Sequence, residues 1–318
     1  SNVKNLDINF PLDSCEKLII DIGWESLDDW FDFWNNKKNT LSIDQYWNKN
    51  VNQDWIWGLA LPLLSQAYKF QDNFSERKII GISALPGTGK TTLGKWLEAI
   101  SLKLNFKIAV ISIDDFYLPS DEMKIAINNN PWNVSRGFPG SHSVKLMHEK
   151  LLNWKINGEL NVPVFDKSLR NGLGDRSHWR IDSPDLLIIE GWFLGIKPFY
   201  GDINVNYHNI DSTDLNSHEL SYRYIIQKNL EKYLDVWSLI DNIWHLKPLK
   251  FKYMNVWKSK QEKEMLLQKG NALQDDKLYN FLRMLNVSIP HESFDNINSY
   301  ALILIDQERN LVEAGLNL

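Results

Sequence analysis

The run Pro86-Gly87-Thr88-Gly89-Lys90-Thr91-Thr92 contains the residue types that bind nucleotide phosphates, in the order that such a site requires. The apolar run 78–83 before it predicts a strand, and the amphipathic run 93–104 after it predicts a helix. Its glycines can adopt positive φ, so that backbone N–H groups converge on an anion at the start of the helix. Lys90 is expected to reach the β- and γ-phosphates, and the Thr91 hydroxyl to bind Mg²⁺.

One position of this loop departs from the pattern G-x-x-x-x-G-K-[ST], because Ala84 stands where the first glycine is expected. A small residue is compatible with the turn that follows the strand. The alternative interpretation is a glycine-rich connection between strand and helix that binds no ligand. The Lys-Thr-Thr ending and the flanking strand and helix favour nucleotide binding.

Acidic residues end two further apolar runs, which are themselves predicted strands. Asp114 and Asp115 follow the run 107–113, and Glu190 closes the run 185–191. The carboxyl ends of parallel strands lie on one edge of a sheet, so these acids are expected beside the P-loop. Phosphoryl transfer needs a base for the acceptor hydroxyl and ligands for Mg²⁺, and Glu190 is expected to bind the metal directly or through water.

Both aspartates also have a purely structural interpretation, as solvated turn residues or as a helix N-cap. Neighbouring residues in a strand point to opposite faces, so at most one of Asp114 and Asp115 is expected to face a reacting hydroxyl. An acid at the position of Glu190 could serve solubility alone, but the P-loop upstream favours a functional role.

The elements that position these residues predict an α/β fold, a P-loop NTPase-type parallel sheet flanked by helices. Residues 1–76 are aromatic-rich, and we interpret them as an N-terminal helical extension packed on the core, with a partner surface as the alternative. Residues 77–318 are predicted to form the P-loop domain. Two polar segments with Gly or Pro, 118–143 and 161–179, are predicted to be its lid and substrate loops.

Cationic side chains in these two loops are candidates for binding anions. Arg136 lies in the first loop, and Lys167 and Arg176 lie in the second. His142 is the best placed of the histidines, although a single loop histidine is more often structural than catalytic. The sequence has no histidine or cysteine spacing typical of a metal site and no G-x-S-x-G, so it does not support a hydrolase triad.

The composition is that of a globular protein, with 43% apolar and 24% charged residues among 318. The net charge of −5 gives no field that would attract nucleic acid or an anionic membrane, so neither partner is expected. The single cysteine, Cys15, allows no intramolecular disulfide. We find neither a transmembrane run nor a secretory signal, and we expect a cytoplasmic protein.

Several stretches resemble the D-glycerate 3-kinase family, which belongs to the P-loop kinase branch with uridine kinase, phosphoribulokinase and the P-loop pantothenate kinases. The resemblance covers about 78–309, and its loops are more specific than the P-loop alone. The shared stretches are 81–92, Ser112-Ile113-Asp114-Asp115-Phe116-Tyr117-Leu118, Arg136-Gly137 with Gly140-Ser141-His142, Phe165-Asp166-Lys167-Ser168, Gly174-Asp175-Arg176, Glu190-Gly191-Trp192 with Leu194-Gly195, Asn229-Leu230 with Tyr233, Trp237 with Asp241, Trp257 with Gln261-Glu262, and Ile305-Asp306 with Arg309.

The resemblance implies a kinase domain over 77–318 and a role for each matching residue. Asp114 falls on the expected base, Lys90 on the phosphate contact, Thr91 on the Mg²⁺ contact and Glu190 on the second acid. The candidates for binding the acceptor are Asp115, Tyr117, Arg136, His142 and Lys167, with Arg176 as a further catalytic candidate. Lys258 stands where such kinases often carry a lid arginine, and lysine cannot form the two-pronged contact of arginine.

We therefore expect an ATP-dependent kinase, with Mg²⁺, that phosphorylates a hydroxyl of D-glycerate to give 3-phospho-D-glycerate. One alternative is the same chemistry on another acceptor, such as a uridine-like nucleoside or pantothenate. A second alternative is a non-catalytic nucleotide-binding regulatory protein, but such a protein has no need of a base at the position of Asp114.

Overall fold

The computed structural model describes residues 11–41, 53–72, 76–200, 215–270, 272–273 and 275–317. Of the predicted N-terminal extension, residues 1–10, 42–52 and 73–75 lie outside the described residues. The described part of that extension, residues 11–41 and 53–72, is called the N-terminal unit below.

The strands of the described chain form a large sheet and a separate hairpin. They are β1 (Ile79–Ala84), β2 (Ile108–Ser112), β3 (Leu160–Asp166), β4 (Asp175–Asp182), β5 (Leu186–Gly191), β6 (Asn242–Pro248), β7 (Ala301–Ile305) and β8 (Leu311–Leu316). The large sheet has the order β2-β5-β1-β6-β7-β8, and its strands are parallel except for β8, which is antiparallel to β7. The predicted fold class, a mostly parallel P-loop sheet flanked by helices, is confirmed.

Helices connect the strands and cover both faces of the sheet. They are α1 (Glu16–Ile22), α2 (Leu27–Leu41), α3 (Gln53–Trp55), α4 (Leu61–Phe70), α5 (Lys90–Lys103), α6 (Ser120–Ala126), α7 (Val144–Asn157), α8 (Ser217–Glu231), α9 (Leu234–Ser238), α10 (Tyr253–Lys269), α11 (Asp275–Val287) and α12 (His291–Asp295). Within the described residues, no helix combines the length and the apolar content that crossing a bilayer requires.

The central strands bring the predicted chemistry together because they are apolar throughout and buried on both faces. In β1 every residue is buried, and β5 is buried except at Glu190. Glu190 pairs with Ile82 of β1 on one side and with Ser112 of β2 on the other. The carboxyl ends of β1, β2 and β5 therefore lie side by side, with Glu190 in the middle.

The prediction of a loop over 161–179 is wrong, because most of that segment forms the antiparallel hairpin of β3 and β4. Phe165 pairs with Arg176 across the hairpin, next to a register shift after Val164. The pattern is difficult to recognise as strand because β4 is polar and largely exposed, and because Pro163 interrupts β3. The other predicted loop, 118–143, contains the short helix α6.

The N-terminal unit shares one hydrophobic core with the large sheet. Trp30 and Trp34 are fully buried in that core together with Ile80, Trp244 and Ile303 of the sheet. The indole N–H groups of Trp30 and Trp34 both donate to the Ser65 hydroxyl, at 2.7 and 2.8 Å, so these buried donors are satisfied. Whether residues 1–76 form a unit of their own stays a prediction.

Candidate active site

The P-loop runs from Leu85 to Gly89 between β1 and α5. Gly87 and Gly89 have φ of +81° and +118°, a region that side chains disfavour. A Cβ on Gly87 would lie 2.8 Å from the carbonyl carbon of Trp257, so the glycine also allows α10 to approach the loop closely. The Thr88 hydroxyl donates to the Leu85 carbonyl at 2.6 Å and closes the turn.

Lys90 begins α5 and points back into this loop. Its ammonium donates to the carbonyl oxygens of Ala84 at 2.6 Å and Leu85 at 3.3 Å, and it lies 3.8 Å from Glu190 Oε2. Burial lowers the pKa of Lys90, and the charges of Glu190 and Asp114 oppose that effect. Burial likewise raises the pKa of Glu190, and Lys90 opposes it. The two groups are thus a partly buried pair in which each favours the ionised form of the other.

Asp114 is held between two nitrogen-bearing side chains. Its Oδ2 accepts a hydrogen bond from Lys167 Nζ at 2.7 Å, and its Oδ1 lies 3.9 Å from His142 Nε2. Burial alone would raise the pKa of Asp114, but Lys167 and His142 outweigh it and hold that pKa well below its usual range. Asp114 is therefore an ionised carboxylate, which is the form that a base requires.

Asp115 has a different role from its neighbour, because the strand ends at Ser112 and a 3-10 helix, Ile113–Phe116, begins. Asp115 Oδ2 accepts from the Ser112 N–H at 3.1 Å, while the Ser112 hydroxyl accepts from the Asp114 N–H at 3.2 Å. This reciprocal capping box fixes the turn. The structure thus places Asp115 in a backbone cap and Asp114 in the charged cluster.

His142 is buried, and one of its ring nitrogens is held by a tyrosine. Nδ1 lies 2.8 Å from the Tyr233 hydroxyl, which accepts a hydrogen bond from the Gly140 N–H at 3.0 Å. The Tyr233 hydroxyl can in turn donate to Nδ1, and in that arrangement the imidazole proton lies on Nε2. Nε2 faces Asp114 and is buried without a hydrogen-bond partner among the described residues.

Tyr117 and Arg136 form the wall beside this cluster. The Tyr117 ring stacks on His142 with centroids 4.5 Å apart, and burial, with the adjacent Asp114 charge, raises the pKa of its hydroxyl. Arg136 donates to the carbonyls of Leu173 at 2.6 Å and Gly172 at 3.1 Å. Arg136 therefore ties segment 118–143 to the tip of the β3–β4 hairpin.

Arg176 lies on the hairpin and reaches the residue after His142. Its guanidinium donates to Ser143 Oγ at 2.6 Å, whereas its Nε is buried without a hydrogen-bond partner among the described residues. Burial lowers the pKa of Arg176, and the charges of Glu122 and Asp175 oppose that effect. Arg176 thus has a buried donor available to an additional acceptor.

The backbone of Lys258 lies next to the P-loop, and its nitrogen is 2.9 Å from where a Cβ on Gly87 would stand. Its ammonium is largely buried and pairs with Glu262 Oε1 at 2.5 Å. Glu262 also accepts the Leu273 N–H at 2.8 Å, which ties α10 to the segment before α11. Lys258 therefore places a positive charge near the P-loop, but in this conformation that charge is paired with Glu262.

The predicted Mg²⁺ contacts, Thr91 and Glu190, both offer oxygen atoms near the P-loop, and their role stays a prediction. Thr91 is exposed in the first turn of α5, directly after Lys90, and Glu190 ends the neighbouring strand β5. A hydroxyl and a carboxylate are the oxygen donors that Mg²⁺ prefers, and the ion completes its shell with water and phosphate oxygens. The donor set fits the metal.

A cavity of about 810 Å³ lies at the opposite end of the sheet, where Arg77 approaches the end of α7 and the start of β5. There the Arg77 guanidinium donates hydrogen bonds to the carbonyl oxygens of Lys155 and Ile156, at 3.1 and 2.9 Å. We assign the site instead to the edge of the sheet formed by the carboxyl ends of β1, β2 and β5, called the rim below. The strand-end acids and the P-loop lysine converge there.

Comparisons with known proteins identify relatives by sequence and by fold. No family model matches the chain. A protein of Saccharomyces cerevisiae named "Probable ATP-dependent kinase TDA10" is 32% identical over 228 residues, which cover 64% of this chain and 75% of that protein. The chloroplastic D-glycerate 3-kinase of Arabidopsis thaliana is 31% identical over 217 residues, 64% of this chain but only 45% of that longer protein. The solved structure of D-glycerate 3-kinase from Cryptococcus neoformans has the same fold, with a TM-score of 0.66 at 22% identity, covering 91% of this chain and 99% of that one.

The fold and the rim define a P-loop kinase, an enzyme that transfers phosphate to an alcohol group. The predicted family is confirmed by the sequence relatives. The chain belongs to the D-glycerate 3-kinase family of P-loop kinases.

Proposed function

We propose that this kinase transfers the γ-phosphate of ATP to a hydroxyl of D-glycerate and releases ADP and 3-phospho-D-glycerate. The observation that carries the proposal is the convergence of Lys90, Glu190 and Asp114 at the ends of three adjacent strands. Among curated relatives, the Arabidopsis protein that acts on D-glycerate supports the choice of acceptor.

The chemistry follows from the charges at the rim. Asp114 accepts the proton of the acceptor hydroxyl as the oxygen attacks the γ-phosphorus, and the bond from that phosphorus to the bridging oxygen of ADP breaks. Lys90 stabilises the charge that develops on the phosphate oxygens. Thr91 and Glu190 would hold Mg²⁺, which neutralises phosphate charge when it is bound.

An acidic acceptor is supported by two buried donors, of which His142 Nε2 faces Asp114. His142 Nε2 and Arg176 Nε are both buried without a hydrogen-bond partner among the described residues, and Ser143 links them along the chain and through the bond to Arg176. Buried donors are normally satisfied, and a carboxylate can accept from both. D-glycerate has such a carboxylate, in addition to its hydroxyl groups.

The test is ADP release from ATP and Mg²⁺ over a panel of acceptors: D-glycerate, L-glycerate, glycerol, uridine, pantothenate and ribulose 5-phosphate. We expect D-glycerate to have the highest kcat/KM, and glycerol, which lacks the carboxylate, to be a far poorer acceptor. The Lys90→Ala protein is the control, because it removes the phosphate contact and should lose turnover with every acceptor. Glycerol phosphorylated as well as D-glycerate would contradict the assignment of an acidic acceptor.

A further inference from the structure

A tryptophan of the N-terminal unit lies against the P-loop. Two ring atoms of Trp55, Cη2 and Cζ3, are 3.6 and 3.8 Å from where a Cβ on Gly89 would stand. Gly89 immediately precedes Lys90 and is the residue before the first turn of α5. The indole of Trp55 is buried, with 8% of the residue exposed. The N-terminal unit thus reaches the loop that binds phosphate.

The same indole also holds the turn that connects β7 with β8. Trp55 Nε1–H donates to the carbonyl oxygen of Arg309 at 2.6 Å. Trp257 Nε1–H of α10 donates to the carbonyl oxygen of Gln307, in the same turn, at 2.7 Å. Trp257 also contacts the other P-loop glycine, since a Cβ on Gly87 would lie 2.8 Å from Trp257 Cβ. Each tryptophan therefore touches one P-loop glycine and one carbonyl of this turn.

The turn, residues 306–310, is well fixed within itself. The Asp306 carboxylate accepts the backbone N–H of Asn310 at 2.7 Å, and the Asp306 carbonyl accepts the Arg309 N–H at 3.1 Å. Arg309 has a φ of +68°, which non-glycine residues adopt rarely. A rigid turn transmits a displacement at either tryptophan contact instead of absorbing it.

The order of the strands places this turn on the nucleotide side of the site. Asp114 follows β2, the P-loop follows β1, and the 306–310 turn follows β7, so the P-loop lies between the other two. A nucleotide whose γ-phosphate meets an acceptor beside Asp114 has its nucleoside on the other side of the P-loop. The gap between the P-loop and the turn therefore decides how the nucleotide is seated.

We propose that Trp55 is a positioning residue for the nucleotide, because it sets the distance between the P-loop and the 306–310 turn. The N-terminal unit is then part of the nucleotide site and not only a cover for the sheet. The proposal rests on the proposed function only in that the P-loop binds ATP, and it is independent of which acceptor is phosphorylated.

The test is the Trp55→Phe protein, which keeps an aromatic ring near Gly89 and removes the donor to Arg309. We expect the dissociation constant of ADP, measured by titration calorimetry, and the KM for ATP to rise about threefold to tenfold, because the P-loop and the 306–310 turn are no longer held at a fixed distance. The KM for the acceptor and kcat should stay at the parent values. Trp257→Phe should raise the same two constants.

The matched control is Trp57→Phe, two residues along the same segment. Trp57 is also buried, and its ring packs on Trp30 and Phe31, with centroids 5.9 and 4.7 Å away, whereas none of its atoms is among those nearest a Cβ on Gly87 or Gly89. Circular dichroism melting of all variants separates folding from positioning. An unchanged ADP dissociation constant in Trp55→Phe, or an equal rise in Trp57→Phe, would overturn the proposal. Failure to phosphorylate D-glycerate would contradict the acceptor assignment alone, because ADP binding is read without an acceptor.

Discussion

The ammonium of Lys167 lies 2.7 Å from the carboxylate of Asp114, although the two residues belong to different elements, the β3–β4 hairpin and the 3-10 helix after β2. The pair keeps Asp114 ionised, and the same contact raises the pKa of Lys167. An acceptor hydroxyl that binds Asp114 therefore approaches the existing Lys167–Asp114 ion pair. Lys167 is then close enough to contact the bound substrate as well.

Replacing Lys167 with Met should raise the pKa of Asp114 toward its usual range. That pKa is depressed in the folded protein, so the carboxylate stays ionised down to an unusually low pH. It becomes protonated only when the pH falls below this depressed pKa. Without Lys167 the acid limb of the pH profile of kcat/KM should move to higher pH. Lys124→Met is the control, since Lys124 is exposed and paired with Asp121. An unmoved acid limb would sink the assignment of Asp114 as base.

Replacing Asp114 and Asp115 one at a time with Asn should show which residue is the base and which caps the 3-10 helix. Asp114→Asn should lower kcat by about 10²–10⁴-fold while ADP still binds, the usual contribution of a positioned base. Asp115→Asn keeps one acceptor oxygen for the Ser112 N–H, so it should cost about 0.5–2 kcal/mol of stability and leave most of kcat. Steady-state kinetics and urea unfolding measure the two effects. If Asp115→Asn were the variant with the larger loss of kcat, the two roles would have to be exchanged.

Tyr233→Phe should affect the acceptor more than ATP. The change removes the hydroxyl that accepts from Gly140 and orients His142, so the imidazole proton is no longer fixed on Nε2. We expect the KM for D-glycerate to rise with little change in the KM for ATP, and stability to fall by about 1–3 kcal/mol. Tyr222→Phe is the matched control, because Tyr222 is also buried but packs on Trp132. The same KM change in both variants would indicate a packing effect.

Arg176→Leu should raise the KM for D-glycerate by about 10-fold or more, the cost of a charge-assisted hydrogen bond, with the KM for ATP unchanged. Arg136, predicted from the sequence to bind the acceptor, already donates to the carbonyls of Leu173 and Gly172. Arg170→Leu is the control on the same hairpin, since Arg170 is exposed and paired with Asp175. A rise confined to Arg136→Leu would reverse the assignment.

The sequence predicts the strand ends well because the signal there is local. The P-loop, Asp114 and Glu190 each follow a short apolar run, and burial of such runs in a parallel sheet decides where their last residues lie. The choice between Asp114 and Asp115 is less accessible. It depends on a 3-10 turn that replaces the strand after Ser112.

Contacts between segments that are distant in the chain cannot be predicted from the local sequence pattern. Tyr233 fixes His142 from 91 residues away, and Trp55 holds Arg309 from 254 residues away. Nothing in the spacing of an aromatic residue distinguishes such a donor from one that only fills the core. The β3–β4 hairpin was missed for a related reason, because its outer strand is polar and its identity as a strand comes from pairing with β3.

The 3-10 helix Leu12–Cys15 packs on β8, and this contact bears on the order in which the protein assembles. The Ser14 hydroxyl donates to the Ala314 carbonyl at 3.0 Å, across 300 residues of chain. The N-terminal unit therefore leaves the ribosome long before the edge strand that completes its packing exists. Until β8 is made, the apolar side chains of this 3-10 helix and of α1 that pack on it stay uncovered, and aggregation competes with folding during that interval.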